Sequence, residues 1–306
     1  MSTSTATGGG RMSERGDASA ATGAVSTSER GDFRVMGIVN VTPDSFSDGG
    51  LYIDLEAQLS LAAQLVADGA RIIDVGGETA SPARPQLQPA DEISRVVPLI
   101  EAIRAELQVL ISIDTYKPAV AAAAIAAGAS IVNDISGLAD AELARICAES
   151  GAALVVMHNR GQVKRRLLDS DLYEDVVADV TGFFADRLAL ADRYGVTREQ
   201  VILDPGPDFS KTPAQTVEVL RALEQLHGYE RPILLPISRK DFIGALTHRS
   251  PRDRLAGTLA ALDDGLRRGA HIFRVHDVAS AADYIAVRAV LKGGVTQQTP
   301  RSPGDR

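Results

Sequence analysis

The stretch LISIDTYKPAVAAAAIAAGASIVNDI (110–135) holds the unit from which the rest of the chain can be read. Its first part, Leu110 to Thr115, is short, aliphatic and partly β-branched, as a strand covered on both faces must be. Pro118 then opens an alanine-rich segment, Pro118 to Ala127. Proline suits the first helical position, where the N–H it lacks would have had no partner. Gly128 closes the segment as a residue able to take a left-handed backbone. A second apolar run, Ile131 to Ile135, follows. Two buried strands joined through a helix run parallel, because the crossover returns the chain to the end of the sheet it left.

The same grammar recurs on both sides. Further strands are expected at Val35 to Asn40, Arg71 to Gly76, Ala153 to His158, Val201 to Pro205, Ile233 to Ser238 and Ile272 to Asp277. Further helices are expected at Leu55 to Asp68, Pro89 to Leu107, Asp140 to Glu149, Tyr173 to Tyr194, Pro213 to Leu226, Pro251 to Arg268 and Ser280 to Leu291. Eight strand–helix units in one domain-sized chain favour a closed (β/α)8 TIM barrel over an open doubly wound sheet. No GxGxxG follows the first strand, which argues against a dinucleotide-binding sheet. Hydrophobic residues make up 45% of the 306, aromatics only 4%, with no Trp, so the core is aliphatic, as in parallel α/β proteins.

The barrel is expected to occupy residues 33–292 as a single domain. The Ser-, Thr-, Gly- and Ala-rich stretch 1–32 and the polar stretch 293–306 read as disordered tails. The first lacks the apolar segment of a secretory signal. An amphipathic transit peptide is the weaker reading, since Arg11, Arg15 and Arg30 are offset by Glu14, Asp17 and Glu29. No run approaches the roughly 18 apolar residues of a membrane span. A net charge of −8 speaks against a nucleic-acid or anionic-membrane partner. The one cysteine, Cys147, falls in a helical stretch and reads as a small core hydrophobe, which fits a reducing cytoplasm.

Barrels of this kind carry their active sites at the C-terminal ends of the strands. Those ends read Asn40, Asp74, Asp114, Asn133, His158, Asp204, Lys240, and Arg274 with His276. One such residue would be an ordinary helix cap. A whole set points to a ligand, because a buried charge costs several kcal/mol unless paired. Arg274 and His276, two apart on one strand, share a face; they suit an anion or local carboxylates equally well. Asp114, Asn133 and Asp204 offer acceptors and an amide to a flat heterocycle rich in N–H groups. His158 reads as a satisfied structural histidine and the run Lys164, Arg165, Arg166 as a solvated loop. The first strand–helix loop, from Asn40 to Gly50, is long and rich in turn formers. It is either a solvated loop or a lid, and Phe46, with no evident packing role, suits the lid.

At these residues the chain resembles the dihydropteroate synthases. MGIVNVTPDSFSDGG (36–50) is similar to their first signature and DVGGE (74–78) to the start of their second. SIDT (112–115), NDI (133–135), LDPG with a later F-x-K-T (203–212), SRK-x-FIG (238–244) and RVHDV (274–278) follow in family order. The resemblance implies a transferase that joins 6-hydroxymethyl-7,8-dihydropterin pyrophosphate to p-aminobenzoate in folate biosynthesis. It implies that Asp114, Asn133, Asp204 and Lys240 hold the pterin, with Asp74 in support, and that Asn40, Arg274 and His276 meet the pyrophosphate. Asn40 would bind Mg²⁺ through its amide oxygen. Thr79 and Phe209 would touch substrate, and Asp44, Asp48 and Lys240 would serve catalysis, the two aspartates by stabilising a cationic pterin. A homodimer is implied as well.

The chain departs from the family pattern at three places. Thr79-Ala80-Ser81-Pro82-Ala83 replaces S-T-R-P-G, with Arg84 a candidate substitute for the missing arginine; Asp208 stands before Phe209; and Asp241 follows Lys240 where Ser is usual. In the family these three places surround the p-aminobenzoate end. Two extra carboxylates facing a carboxylate substrate would repel it, which leaves open an altered-amine or non-catalytic pterin-binding paralogue beside the synthase reading. A pterin-dependent methyltransferase subunit is the third reading, but the chain carries no cobalamin module.

Overall fold

The computed structural model describes residues 33–41, 55–79, 85–161 and 168–293. Eight strands form one parallel sheet: β1 Arg34–Asn40, β2 Ile72–Gly76, β3 Leu110–Asp114, β4 Ile131–Asp134, β5 Ala153–Met157, β6 Val201–Asp204, β7 Leu234–Leu235 and β8 Ile272–Val275. Their order is β6-β5-β4-β3-β2-β1-β8-β7. The barrel closes between the two outer strands through a single bridge, Leu203 to Ile233, where the Leu203 N–H donates to the Pro232 carbonyl at 2.9 Å. Around the barrel lie α1 Leu55–Ala67, α2 Pro89–Glu106, α3 Pro118–Ala127, α4 Glu142–Ser150, α5 Val176–Arg193, α6 Pro213–Arg221, α7 Asp241–Thr247, α8 Leu255–Arg267 and α9 Val278–Leu291. The expected TIM barrel is therefore what the chain forms.

Strand periodicity places the site. Inside the barrel, Met36, Ile72, Ile131, Val155, Ile202, Leu234 and Ile272 pack into an apolar floor. Side chains alternate between faces, so the inward residue recurs every second position. Two steps above Met36 and Ile72, Ile38 stands beside Asp74 and Asp74 beside Ser112; two further on, Asn40, Gly76, Asp114 and Asn133 follow one another across β1 to β4. The interior thus turns from apolar to polar along the strand direction. The outward residues of the same strands pack with the helices into the larger core, which includes the wholly buried Cys147.

Several element boundaries differ from those expected, each for a local reason. β7 stops at Leu235 rather than Ser238, because Pro236 has no N–H to continue the ladder. α5 starts at Val176, not Tyr173, because the Asp175 carboxylate caps it, accepting from the Val177 and Ala178 N–H groups at 2.9 Å each. α6 ends at Arg221 and continues as a 3₁₀ segment, Leu223–Tyr229. α7 was not expected; α8 opens at Leu255 after a 3₁₀ turn, Pro251–Asp253.

Candidate active site

A cavity of about 240 Å³ opens at the C-terminal end of the barrel. Asn40, Thr79, Asp114, Asn133, Asp204, Phe209, Lys240, Arg274 and His276 all line it, with Glu78 and the apolar Ile38, Ile135, Met157 and Pro236. Asp74 lies beneath, wholly buried. Asp44, Asp48, Phe46, Ala80, Ser81, Arg84 and the run Lys164, Arg165, Arg166 lie outside the described residues.

The floor of the cavity is an ion cluster. Arg274 donates through Nε to Asp74 Oδ2 at 2.6 Å and through Nη2 to Asp114 Oδ2 at 2.9 Å, and Asn133 Nδ2 donates to the same Asp74 oxygen at 3.2 Å. Of the two readings open for Arg274, local carboxylates occupy two of its nitrogens. Burial pushes Asp114 up to about 7, with Arg274 pulling it down and Asp74 pushing it up. Asp204 is likewise pushed up to about 6 by burial, against the opposing Gly206 N–H, which donates to its Oδ1 at 2.8 Å, and the nearby Lys240 and Lys211. Both carboxyls therefore titrate near neutrality, unlike solvated ones.

The residues after β7 join two strand ends through the S-R-K sequence. Ser238 Oγ accepts from the His276 backbone N–H at 3.2 Å and is hydrogen-bonded to His276 Nδ1 at 3.0 Å, which fixes the ring and leaves Nε2 for a ligand. Burial, with Arg239 and Arg274, pushes His276 down to about 4, making it neutral at pH 7. Arg239 pairs with Asp277 at 2.8 Å. Lys240 places Nζ 4.6 Å from the centre of the Phe209 ring. Burial lowers its pKa, while Asp208 and Asp204 oppose the shift.

The two added carboxylates are turned to structural use. Asp208 accepts from the Asp241 backbone N–H at the start of α7 and from Thr216 Oγ1 at 3.2 Å. Asp241 Oδ1 pairs with Arg254 Nη1 at 3.0 Å. The same guanidinium donates to the carbonyls of Arg239 and Lys240 at 2.9 and 3.1 Å. It lies so close over Gly244 that a Cβ there would stand 2.2 Å from Nη2, which accounts for the glycine of F-I-G. Neither Asp208 nor Asp241 is among the residues lining the cavity.

Two residues escaped the sequence reading although both stand in quoted motifs. Glu78 of D-V-G-G-E lines the cavity and ties the second loop at both ends. Its Oε1 accepts from the Leu87 N–H at 2.8 Å, and its Oε2 accepts from Tyr116 at 3.0 Å and from Lys117 at 2.6 Å. Lys211 of F-x-K-T is wholly buried behind the pocket, its Nζ 2.8 Å from His158 Nδ1. His158 Nε2 in turn donates to Asp179 at 2.9 Å, so this histidine is satisfied on both sides. A lysine is read from sequence as solvated, and nothing in its own neighbourhood announces burial.

Comparison with known proteins follows the same lines. Residues 36–276 match the family model described as pterin binding enzyme. The dihydropteroate synthase of Bacillus subtilis (strain 168) is 42% identical over 264 residues, 85% of this chain and 90% of the relative. The Xanthomonas albilineans dihydropteroate synthase solved with 4-aminobenzoic acid superposes with a TM-score of 0.80 at 38% identity, covering 87% of this chain and 95% of that one. The same enzyme in complex with 7,8-dihydropteroate gives a TM-score of 0.77 at 38% identity, covering 87% and 96%.

Proposed function

Since this chain belongs to the dihydropteroate synthase family of pterin-binding enzymes, we propose that it joins 6-hydroxymethyl-7,8-dihydropterin pyrophosphate to p-aminobenzoate, giving 7,8-dihydropteroate and pyrophosphate. The observation that carries this reading is the ring of Asp114, Asn133 and Asp204, backed by Lys240 and Arg274, around one cavity. Acceptors on β3, β4 and β6 suit the edge of a flat heterocycle bearing several N–H groups, and Ile135, Met157 and Pro236 offer apolar contact.

The reaction breaks the C–O bond between the pterin methylene and pyrophosphate, whose oxygen keeps the electron pair. The amine nitrogen forms the new C–N bond and sheds a proton. Asn40, Arg274 and His276 receive the pyrophosphate, Arg274 as the charged donor and His276 as a neutral one. Asp74 acts through Arg274, fixing its orientation. Thr79 and Phe209 meet the amine, while Lys240 stays with the pterin, and Asp44 and Asp48 of the first loop stabilise the positive charge that develops on the pterin. The Asn40 side chain fits Mg²⁺, which takes few protein ligands and completes its shell with water and phosphate oxygens. Among the described residues no three His, Cys, Asp or Glu stand together, so substrate oxygens would supply most of that shell. Held at Asn40, such an ion would supply positive charge to the pyrophosphate oxygens.

A cytoplasmic homodimer accompanies this reading. No helix of the described residues is long and apolar enough to cross a membrane, and the one cysteine is buried and free. Leu246 on α7 and Val287, Val290 and Leu291 on α9 leave apolar surface exposed, which a second copy would cover.

Pyrophosphate release after mixing the pterin pyrophosphate, Mg²⁺ and p-aminobenzoate tests the activity. Release that needs the amine and yields dihydropteroate supports it; pterin binding without release would leave a non-catalytic binder. The commitments of Asp208 and Asp241 remove the reason for expecting repulsion of the second substrate. Asp241→Ser is therefore expected to change the p-aminobenzoate KM by less than about twofold, as for a partly exposed ion pair. Asp208→Ala should cost about 1 kcal/mol of stability through the lost cap on α7. A large KM drop in Asp241→Ser would show that its carboxylate reaches the amine after all.

The two raised carboxyls predict a pH dependence. Affinity for 6-hydroxymethylpterin should fall about tenfold from pH 8 to pH 6, and further by pH 5, as first Asp114 and then Asp204 takes a proton and ceases to be a pure acceptor. Asp114→Asn should fold, bind about tenfold more weakly at pH 8, and lose the upper part of that dependence. Calorimetry across this range decides it; a flat profile would remove both carboxyls from contact with the ring.

A further inference from the structure

The turn 205–211 after β6 is wound tightly around one side chain. Gly206, Asp208 and Ser210 all have positive φ, at 64°, 66° and 49°. A Cβ on Gly206 would stand 2.1 Å from the His158 carbonyl oxygen, so that position admits only glycine. Left-handed backbone at two non-glycine residues persists only where surrounding contacts over-determine it. Thr216 and Asn159 supply some, Thr216 Oγ1 accepting from the Asp208 N–H at 3.1 Å and Ser210 Oγ donating to Asn159 Oδ1 at 2.7 Å. Lys211 supplies the others. Its wholly buried Nζ donates to the carbonyls of Gly206 at 3.0 Å and Phe209 at 3.1 Å, and to His158 Nδ1 at 2.8 Å. The His158 carbonyl lies within reach as well, at 3.4 Å, and the Asp179 bond to Nε2 fixes the tautomer that leaves Nδ1 free to accept. The turn that Lys211 closes carries the two residues that set the surroundings of Lys240. Phe209 lies against its ammonium, and Asp208 caps the helix that begins just after it.

We propose that Lys211 is a positioning residue for the second substrate: it shapes the 205–211 turn so that Phe209, held against the Lys240 ammonium, meets the amine in the cavity. Lys211 itself is not among the cavity-lining residues, so it acts through Phe209 and the start of α7. The inference rests on p-aminobenzoate being the second substrate. If the wild-type chain does not turn over with that amine, the functional reading fails before any variant is compared.

A double-mutant cycle in the full chain tests it, with Lys211→Met, Phe209→Ala and their combination, each followed by Tm, pterin affinity, kcat and KM for p-aminobenzoate. Lys211→Met is expected to raise the amine KM about tenfold while kcat falls less than about threefold, and to add almost nothing to KM once Phe209 is alanine. Lys211→Gln, which keeps an N–H donor, should lie between. A purely structural role would lower Tm in both backgrounds and leave KM unchanged, or add independently to the effect of Phe209→Ala; either result overturns the proposal. If Lys211→Met does not fold, the Lys211→Gln cycle decides by the same criterion. If neither folds, Lys211 serves folding and not the pocket, and the proposal falls.

Discussion

Arg274→Ala is expected to lower stability at pH 8 by about 3–5 kcal/mol, the cost of leaving buried carboxylates without their cation. Asp74 is wholly buried and Asp114 four-fifths buried, and both take their shortest hydrogen bonds from this guanidinium. Asn133 alone would remain on Asp74. The loss should depend on pH in a definite direction. Asp114 already stands at about 7, above its ordinary 3.8. A carboxyl raised in the folded state contributes stability that is complete below its unfolded pKa and declines as pH rises through the folded one. Removing Arg274 takes away an influence that lowers this pKa, so the decline extends to higher pH. Urea unfolding should therefore show a larger deficit at pH 8 than at pH 5. In binding, the pterin pyrophosphate should lose far more affinity than free hydroxymethylpterin, since only the ester carries the negative charge. Equal deficits at both pH values would mean that the cluster is not held as described.

Lys117→Met is the second large expected effect. Lys117 Nζ lies 2.6 Å from Glu78 Oε2 and 2.5 Å from Glu92 Oε2, and all three side chains are at most 8% exposed. Removing the ammonium leaves Glu92 as a buried charge with no cation, again costing about 3–5 kcal/mol. The companion double variant Lys117→Met with Glu92→Met should recover at least half of that, because replacing both partners by apolar groups removes the uncompensated charge. The p-aminobenzoate KM should rise in the single variant, since Glu78 ties the loop that carries Thr79. Unfolding curves and initial rates check both parts. A double variant as unstable as the single one would show that packing, not charge, dominates at this site.

How much of this was legible in the sequence follows from which forces are local. Strand ends were legible because alternation along a strand fixes which side chains face inward: once Asp114 and Asn133 are inward, so is the cavity they line. The barrel was legible because helix starts at Pro89, Pro118 and Pro213 and stops such as Gly128 are written in single residues. α7, only seven residues long, shows too little periodicity to be seen. The direction of Asp208 and Asp241 was not legible either. It depends on Thr216 and Arg254, brought near by the closing of the barrel, and on a left-handed backbone at a residue that is not glycine. The same holds for Lys211, whose acceptors include a histidine at the end of another strand.

The thin closure between β6 and β7 has a bearing on motion. Elsewhere the ladder runs from two residue pairs, between β7 and β8, to five, between β1 and β2, but here one bridge joins the outer strands. Asp204 stands on one side of this seam and Lys240 beyond the other. A molecule held by both works as a stitch across the weakest line of the wall. The breathing of the seam, visible as deuterium uptake at the Leu203 amide, which donates to the Pro232 carbonyl, should slow when pterin is bound. Occupancy and the integrity of the barrel wall then become two readings of one equilibrium.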